Sequence, residues 1–546
     1  MLSGTSVDRG RAEVPGIVSR YRRLRWGIAT GTIAALAVLL TLEGPGLTVD
    51  EPLDVRPGRK YVHTLFERGW RFLTPEVVDQ VYRDNAEHPP LGRWLLGIAS
   101  VLGQPFETVW KGPDPTDSYV LAGRIAPALT FGALAGLIAF VAIGRWGKAA
   151  GLSAALALVA MPRVFAHAHF GALDTFLAFT WTAALLAGER ALRSSRPVAA
   201  MSGAGLAWAL ALLTKIHAWF LLPILAILAL VRLPIRRAIP ALAAWSLVGC
   251  LLFWAGWPWL WYHPWSRLLA YWGTGVERST ILVQYFGRVY ADRDVPWHYP
   301  WFYFVTTVPI GLHAFGLFGL VRGWRLRSRD PLPMLLAGSI AFFLVLFSSR
   351  VPVYDGERLF LLVFPAWAML LGFGCGGLFD RPTTSRPARI GLFAVLSAQL
   401  LAVVLTFPFG LSYYNGLVAW LPGADRLGLE VTYWGDAVDR VLLDDLAARA
   451  EPDATAALVP TLYPGQGTLT TGFHRGLARR GVILKDQEGA SSATWVVLSR
   501  RSAYWPPGWT ERLKADGGRL VATRRLQGVV LAELWYFPRN SSEPAR

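Results

Sequence analysis

Long apolar runs separated by short polar loops recur from one end of the chain to the other. A helix that crosses a bilayer needs about 20 mostly apolar residues. Eleven runs approach or reach this length, at residues 26–42, 120–143, 149–163, 170–191, 199–214, 217–232, 238–257, 300–321, 331–348, 357–378 and 388–407. The pattern predicts an all-α polytopic membrane protein with about 11 transmembrane helices.

Basic residues concentrate in every second loop between these runs. Because Lys and Arg accumulate in cytoplasmic loops, this alternation predicts a cytoplasmic N-terminal segment over residues 1–25. An Arg- and Ala-rich composition is typical of bacteria, so we expect the protein in the bacterial inner (cytoplasmic) membrane. The basic segments are RYRRLR (20–25), RWGK (145–148), ERALRSSR (189–196), VRLPIRR (231–237), VRGWRLRSR (321–329) and DRPTTSRPAR (380–389).

The runs define a transmembrane domain over residues 26–407, with a long first outer loop at residues 43–119. Loops of this length are uncommon unless they serve a function. Within the loop, residues 70–83 have the pattern of an amphipathic helix. The apolar segment 89–103 is too short to cross a bilayer, so we expect it to lie along the outer membrane surface.

An odd number of spans places the polar region after the last run on the outer side. Residues 437–450 have the periodicity of a helix, whereas AALVP (456–460), TWVVLS (494–499) and GVVLAELWYF (528–537) have the character of strands. We therefore expect a small extracytoplasmic α/β domain over residues 408–540. Residues 541–546 are expected to form a disordered tail.

Composition agrees with this reading. Of the 546 residues, 53% are hydrophobic and 17% charged, and 25 Trp and 17 Tyr are enough for interfacial belts. A net charge of +17 is compatible with nucleic-acid binding, but most Lys and Arg lie in short loops where they set topology, so we expect no nucleic-acid partner. Cys250 and Cys375 lie inside apolar runs and provide neither a disulfide framework nor metal-ligand spacing.

The predicted topology gathers polar residues from distant loops on the outer face. A bland alternative exists for several of them: Asp50 and Glu51 fit a solvated loop, and Lys215 fits a snorkelling anchor. Asp174 is different, because a charge inside an apolar helix costs about 2.5–3.5 kcal/mol and requires a polar partner. The gathered residues are Asp50, Glu51, His88, Arg163, His167, His169, Asp174, Lys215, His217, Arg350, Tyr354 and Arg358.

Transfer from a lipid phosphate donor is the chemistry that this arrangement fits. The donor phosphate needs cationic partners, which Lys215, Arg350 or Arg358 would supply, and those cations stabilise the leaving phosphate. The acceptor hydroxyl is a poor nucleophile, so it needs a carboxylate to take its proton. Asp50 or Glu51 would serve as that base.

A metal is compatible with this chemistry but not required by it. His88, His167 and His169 are possible ligands for a divalent ion, although HAH spacing on a helix directs His167 and His169 to different faces. We therefore expect no required cofactor.

A series of motifs follows the first run in a fixed order. The acidic pair Asp50–Glu51 is followed by HPPLGRWLLG (88–97), GALDTF (171–176), LTKIHAWFLLP (213–223), PWHYPWFYFVTTVP (296–309), YDGERLFLLVFPAWAML (354–370), LSYYNGLV (411–418) and VTYWGDAV (431–438). In this order the motifs resemble the GT-C superfamily. More narrowly, they look like those of phospholipid carrier-dependent glycosyltransferases, which include protein O-mannosyltransferases and lipid A aminoarabinose transferases.

The resemblance implies a GT-C fold and roles for individual residues. Asp50 would be the catalytic base, with Glu51 second, and Asp174 would position acceptor or donor. His88 would lie near the donor phosphate, which Lys215 and Arg358 would hold. Attack opposite the phosphate would invert the anomeric carbon. Residues on the same face that complete the expected substrate site are Arg163, His217, Arg350 and Tyr354.

Two features depart from the family pattern. The C-terminal region does not resemble the β-trefoil insertion of eukaryotic O-mannosyltransferases. His88 stands where the aminoarabinose transferases tend to have Lys, which argues against close kinship with them.

The sequence thus predicts an integral membrane glycosyltransferase. It would move a sugar from a polyprenyl-phosphate carrier to an extracytoplasmic acceptor, which is a protein hydroxyl, a lipid or a glycan. One alternative is a membrane transporter or lipid-linked sugar flippase, which predicts polar residues at mid-membrane on several helices. Another is a non-catalytic assembly subunit, which has no need for acids and cations on one face.

Overall fold

The computed structural model describes residues 19–83, 88–274, 279–379, 384–505 and 508–538. The predicted tail at 541–546 and most of the predicted N-terminal segment lie outside the described residues. Each of the eleven predicted runs coincides with a helix or with two consecutive helices. The mostly helical architecture expected from the apolar periodicity is therefore confirmed.

The helices of the first half of the chain include those within the first outer loop and those of the early apolar runs. They are α1 (Arg20–Leu39), α2 (Glu51–Arg68), α3 (Pro75–Tyr82), α4 (Leu91–Lys111), α5 (Val120–Gly123), α6 (Ile125–Trp146), α7 (Lys148–Val159), α8 (Pro162–His167), α9 (Asp174–Leu192), α10 (Pro197–Leu212), α11 (Leu221–Arg232) and α12 (Ile235–Ala255).

The second half contains the remaining apolar helices and the short C-terminal ones. They are α13 (Pro264–Thr274), α14 (Tyr299–Thr306), α15 (Ile310–Arg325), α16 (Leu332–Phe347), α17 (Val363–Phe379), α18 (Arg386–Ala398), α19 (Leu400–Thr406), α20 (Trp420–Arg426), α21 (Arg440–Arg449), α22 (Gln466–Phe473), α23 (Arg475–Arg479) and α24 (Trp509–Ala515).

Among the described residues, three helical stretches are both long and apolar enough to cross a membrane: Val120–Trp146, Ile235–Ala255 and Arg386–Thr406. Five further apolar helices have 10–17 residues. These helices fit a membrane protein, whereas the count of eleven spans stays a prediction.

The predicted run at 300–321 is not one straight helix. The structure divides it into α14 and α15, which meet at 111°. Pro309 lies at the junction. Proline lacks an N–H and disfavours helical geometry in the residue before it, so the bend follows from the sequence.

Glycines set the packing of α1 against α6. Gly27 and Gly31 on α1 face Gly136 and Gly132 on α6, each pair spaced four residues apart. A Cβ at Gly31 would lie 2.7 Å from the Gly132 carbonyl oxygen, and a Cβ at Gly132 would lie 2.6 Å from the Gly31 carbonyl oxygen. The two backbones are thus in direct contact, as small residues four apart allow in membranes.

The first outer loop is more helical than its sequence predicts. The amphipathic segment 70–83 is a short 3₁₀ turn followed by α3, divided at Thr74–Pro75. The apolar segment 89–103 extends as α4 to Lys111. Helix α2 was not predicted, because Pro52, Pro57 and Gly58 argue locally against a helix.

At the opposite end of the bundle from residue 50, an ion-pair network joins four loops. Glu189 accepts hydrogen bonds from Arg145, whose guanidinium also binds Asp330 at 2.5 Å. Arg193 and Arg232 approach Glu189 at 3.7 and 3.6 Å. These residues come from loops that the charge alternation places on one side, and the structure brings them into contact.

The C-terminal region contains a five-stranded mixed sheet. Its strand order is β4-β3-β5-β7-β6, with β3 parallel to β4 and β5, and β7 antiparallel to β5 and β6. A separate hairpin, β1 with β2, precedes α14. The strands are β1 (Leu282–Tyr285), β2 (Arg288–Ala291), β3 (Thr455–Val459), β4 (Ile483–Lys485), β5 (Trp495–Ser499), β6 (Arg519–Leu526) and β7 (Val529–Tyr536).

The glycine contact between α1 and α6 is expected to be sensitive to added volume. Gly31→Val forces the two backbones apart, so we expect a loss of stability of about 1–3 kcal/mol and a lower melting temperature in detergent. Gly203→Val is the matched control, because a Cβ at Gly203 on α10 meets no atom within 4 Å. Equal melting temperatures for the two variants would contradict the proposed packing.

Candidate functional site

Asp50 lies at the junction between the first outer loop and the C-terminal region. The Gly46 and Val49 amides donate hydrogen bonds to the carbonyls of Asp436 (2.8 Å) and Trp434 (2.9 Å). This backbone pairing fixes the loop before α2. Asp50 caps α2 without a side-chain hydrogen bond to the helix, which leaves its carboxylate available to other partners.

A tight turn in the backbone positions Arg358 next to Asp50. Asp355 and Gly356 both have positive φ, 55° and 63°, a geometry that suits an Asp–Gly turn. A Cβ at Gly356 would lie 2.7 Å from Nη1 of Arg163, so glycine is also required for space. The turn is followed by a 3₁₀ helix that starts at Arg358.

The Arg358 guanidinium contacts three carboxylates at once. It binds Asp50, Asp174 at 3.2 Å and Asp355 at 3.0 Å. Its carbon lies 4.3 Å from the ring centroid of Trp434, a distance that suits a cation–π contact. Asp50 is the most exposed of the three acids, with 26% of its side chain accessible against 3% for Asp174.

Asp174 has the polar partners that its position demands. It is the first residue of α9, where a negative charge is favoured by the helix dipole. Lys215 reaches it from the extended residue after α10, with Nζ 2.6 Å from Oδ1. The snorkelling alternative for Lys215 is therefore not needed.

We call the connected set of charged residues around Arg358 the ion-pair cluster. Within the cluster, three carboxylates balance three cations, so its formal charges cancel. Its members are Asp50, Asp174, Asp355, Lys215, Arg358 and Arg501.

Glu51 has a different environment from Asp50. Both its oxygens bind Arg124 at 2.7 Å, and they also accept from the amides of Thr48 (2.9 Å) and Gly171 (2.8 Å). The Glu51 and Arg124 side chains are completely buried. Because four donors occupy the carboxylate, Glu51 has no free lone pair for an acceptor, and this geometry favours Asp50 over Glu51 as the candidate base.

Arg163 is also part of a buried pair. Its Nη1 binds Glu357 at 2.6 Å and its Nε donates to the Tyr413 carbonyl at 2.9 Å. His167 lies beside this pair, with Nε2 3.6 Å from Glu357. The structure thus places Arg163 next to the ion-pair cluster. The partner of Arg163 is Glu357, which is not a member of the cluster.

The remaining predicted binding residues differ in their environments. His88 is half-buried, and burial together with the neighbouring cations Arg93 and Lys215 holds its pKa well below its usual range. His217 and Tyr354 are buried, and the Tyr354 ring lies 5.8 Å from the Arg358 guanidinium. Arg350 is exposed and forms no ion pair with a described residue.

The three histidines considered as metal ligands do not converge. Nδ1 of His169 donates to the Phe165 carbonyl at 2.9 Å, and Nε2 forms a hydrogen bond with the Thr41 hydroxyl at 2.8 Å, so both ring nitrogens are occupied. Within residues 19–83, 88–274, 279–379, 384–505 and 508–538, no three His, Cys, Asp or Glu side chains form a group suited to a metal. That no cofactor is required stays a prediction of the sequence, with a divalent metal compatible with the chemistry.

Sequence reasoning missed several residues that contact the site. Asp355 and Trp434 contact Arg358 directly, although the motifs YDGERLF and VTYWGD had drawn attention to their segments. Asp54 forms a buried pair with Arg93 at 3.0 Å, and burial raises the pKa of Asp54 to about 6. Asp54 follows Asp50 by four residues, about one turn of a helix, and this spacing is the signal that could have identified it.

Two buried acids, Glu430 and Asp436, form no ion pair with a described residue. Burial raises the pKa of Glu430 to about 8 and that of Asp436 to about 7. Burial thus favours the uncharged form of Glu430, which interacts with Asp355.

A cavity of about 550 Å³ lies between the first outer loop and the apolar helices. Its walls are mostly apolar and come from the end of α1, from α4 and from α5–α6. Residues 39–44 line it, and this segment leads directly into the loop that carries Asp50. The other lining residues are Gly103, Phe106, Glu107, Trp110, Leu121, Ala122, Ile125 and Phe407.

The contrast between the two adjacent acids can be tested through stability. Glu51→Gln leaves the buried Arg124 charge without a counter-ion, which costs about 3–5 kcal/mol, so we expect a large drop in melting temperature. Asp50→Asn leaves Arg358 with two carboxylates, and we expect a change within about 1 kcal/mol. Thermal unfolding in detergent compares them, and a similar loss in both variants would contradict the structural role of Glu51.

No protein-family model matches the chain, and no curated protein matches it either. Solved structures do match. ArnT from Cupriavidus metallidurans in the apo state is 17% identical, with a TM-score of 0.50 over 94% of this chain and 97% of that one. The same protein bound to undecaprenyl phosphate gives 16% identity and 0.48, over 93% and 97% of the chains. The oligosaccharyltransferase AglB from Archaeoglobus fulgidus, in complex with an inhibitory peptide and a dolichol-phosphate, gives 13% and 0.43, over 95% and 75%.

The likeness to apo ArnT extends over almost the whole of both chains. At this level of identity it concerns the fold. The expectation drawn from the acidic pair and the later motifs is confirmed: the chain has the GT-C fold.

Proposed function

We propose that the protein is an integral membrane glycosyltransferase that takes its sugar from a polyprenyl-phosphate donor. The observation that carries the proposal is Asp50, a partly exposed carboxylate bound to Arg358 at the edge of a buried ion-pair cluster. The GT-C fold supports it, as does ArnT, a protein of that fold seen with undecaprenyl phosphate. The site would face the outer side of a bacterial inner membrane, as the charge alternation predicts.

In the proposed reaction, the acceptor hydroxyl oxygen attacks the anomeric carbon of the donor sugar. The bond from that carbon to the phosphate oxygen breaks, and its electron pair leaves with the polyprenyl phosphate. Asp50 takes the proton of the hydroxyl. Attack from the face opposite the phosphate inverts the anomeric carbon, and the acceptor would be a protein hydroxyl, a lipid or a glycan.

Donor binding and release of the base are linked in this scheme. Lys215 and Arg358 are the cations proposed for the donor phosphate, but both are paired with carboxylates before it arrives. A phosphate that takes a hydrogen-bond donor from Arg358 competes with Asp50 for the guanidinium. Asp50 would then be free to take the proton of the acceptor only when donor is bound.

The hydrocarbon chain of the donor would lie in the 550 Å³ cavity. The cavity has apolar walls and adjoins the segment that leads to Asp50, so a lipid whose chain occupies it has its phosphate near the cluster. Burial of hydrocarbon supplies binding free energy of about 0.8 kcal/mol for each CH₂ removed from water, while a donor already in the bilayer gains mainly from packing.

Substitution of the proposed base tests the function directly. We expect Asp50→Asn to reduce sugar transfer by about 100- to 10,000-fold, the usual contribution of a general base, with donor binding retained. The assay compares purified native and variant protein with a panel of polyprenyl-phosphate sugars. Asp117→Asn is the control, since Asp117 belongs to the same outer loop but is 71% exposed and pairs with Arg59.

Either of two results would count against the proposal. Full transfer by Asp50→Asn would remove Asp50 as the base. No transfer by the native protein with any donor would favour the transporter or flippase alternative.

The cavity assignment predicts an effect that depends on donor chain length. Ile125→Trp places an indole in the cavity, so we expect KM for a long-chain donor to rise about tenfold, the equivalent of about 1.4 kcal/mol. A short-chain donor should show no change. Leu129→Trp is the matched control, because Leu129 lies one turn further along α6, is 53% exposed and does not line the cavity. Equal effects on both donors would place the chain elsewhere.

A further inference from the structure

One arginine of the ion-pair cluster follows a strand of the C-terminal sheet. Strand β5 ends at Ser499, and Arg500 and Arg501 follow it in sequence. Arg501 is buried, with 5% of its surface exposed. Its Nη1 donates to the Tyr433 carbonyl at 2.5 Å, and its Nη2 binds Asp355 at 3.0 Å.

The contact of Arg501 with Asp355 continues to the candidate base. Asp355 uses one carboxylate oxygen for Arg501 and the other for Arg358, each at 3.0 Å. Arg358 in turn binds Asp50. A chain of three ion pairs thus connects the end of a C-terminal strand with the edge of the site.

The surroundings of Arg501 face the loop that carries Asp50. A small cavity of about 20 Å³, room for about one water molecule, lies between them. Arg501 and Ser499 line it on one side and Leu47 and Val49 on the other. Within the described part of the chain, Nε of Arg501 is buried without a hydrogen-bond partner, so one donor of the guanidinium is not used by the protein fold.

We propose that Arg501 is a positioning residue for the transfer reaction: it neutralises Asp355 and so keeps Arg358 directed at Asp50 and at the donor phosphate. The proposal rests on the proposed function and extends it to the C-terminal region. Without Arg501, the buried Asp355 carboxylate has only Arg358 as a cationic partner. It would draw Arg358 away from Asp50 and Asp174, because an uncompensated buried charge is costly.

Arg500 provides a control of the same chemistry in the adjacent position. Its guanidinium binds Asp425 at 2.7 Å and the Val530 carbonyl at 3.2 Å. It has no contact with the ion-pair cluster. Arg500→Met and Arg501→Met therefore each remove an ion-paired arginine after β5, but only the second disconnects Asp355.

The test compares native protein with Arg501→Met, Arg501→Lys, Arg500→Met, Asp355→Asn and the double variant Asp355→Asn/Arg501→Met. Two quantities are measured: binding of polyprenyl phosphate itself, and kcat/KM for the sugar donor. We expect Arg501→Met to lower both about tenfold, Arg501→Lys to retain most of each, and Arg500→Met to match the native protein.

The double variant separates positioning from a merely structural role. In the Asp355→Asn background, residue 355 carries no charge that could draw Arg358 away. Loss of Arg501 should then have no further effect, so Asp355→Asn/Arg501→Met should match Asp355→Asn alone. Equal effects of Arg501→Met and Arg500→Met would overturn the proposal. A double variant that is weaker than Asp355→Asn, and as weak as Arg501→Met, would overturn it as well.

The outcome for the native protein distinguishes the two proposals. Native protein that binds polyprenyl phosphate but transfers no sugar contradicts the proposed transfer reaction, while the binding comparison still decides the role of Arg501. Native protein that neither binds the lipid phosphate nor transfers sugar contradicts both.

Discussion

The arrangement of the site depends on one guanidinium. Arg358 contacts three carboxylates, and these come from three parts of the chain that are distant from one another in sequence. Buried charges are tolerated only when they are paired. The turn at residues 355–356, the start of α9 and the loop before α2 must therefore all be in place together, and the position of Asp50 is a consequence of that requirement.

Much of the fold could be predicted from the sequence, because apolar runs and charge alternation are properties of each segment alone. The eleven runs coincide with helices, and segments 456–460, 494–499 and 528–537 coincide with β3, β5 and β7. The bend between α14 and α15 was missed although Pro309 signals it. Helix α2 was missed because its prolines argue against a helix, and tertiary packing overrides that local preference.

The sequence predicted which residues belong to the candidate site better than it predicted which of them contact one another. Asp50, Asp174, Lys215 and Arg358 were selected from the sequence, and the structure brings them together. Their roles were less accessible, because a contact such as that between Asp50 and Arg358 spans 308 residues. Glu51 shows the limit most clearly: it adjoins Asp50 in sequence, yet Arg124 and two amides occupy its carboxylate completely.

The balance of charge in the cluster has a kinetic consequence. A site whose fixed charges cancel projects little field beyond its own walls, so it cannot raise the local concentration of an anion by long-range attraction. Under the proposed function, a donor would reach Arg358 by lateral diffusion in the bilayer and through the apolar cavity. Its arrival would then depend on the fluidity of the membrane more than on the ionic strength of the surrounding water.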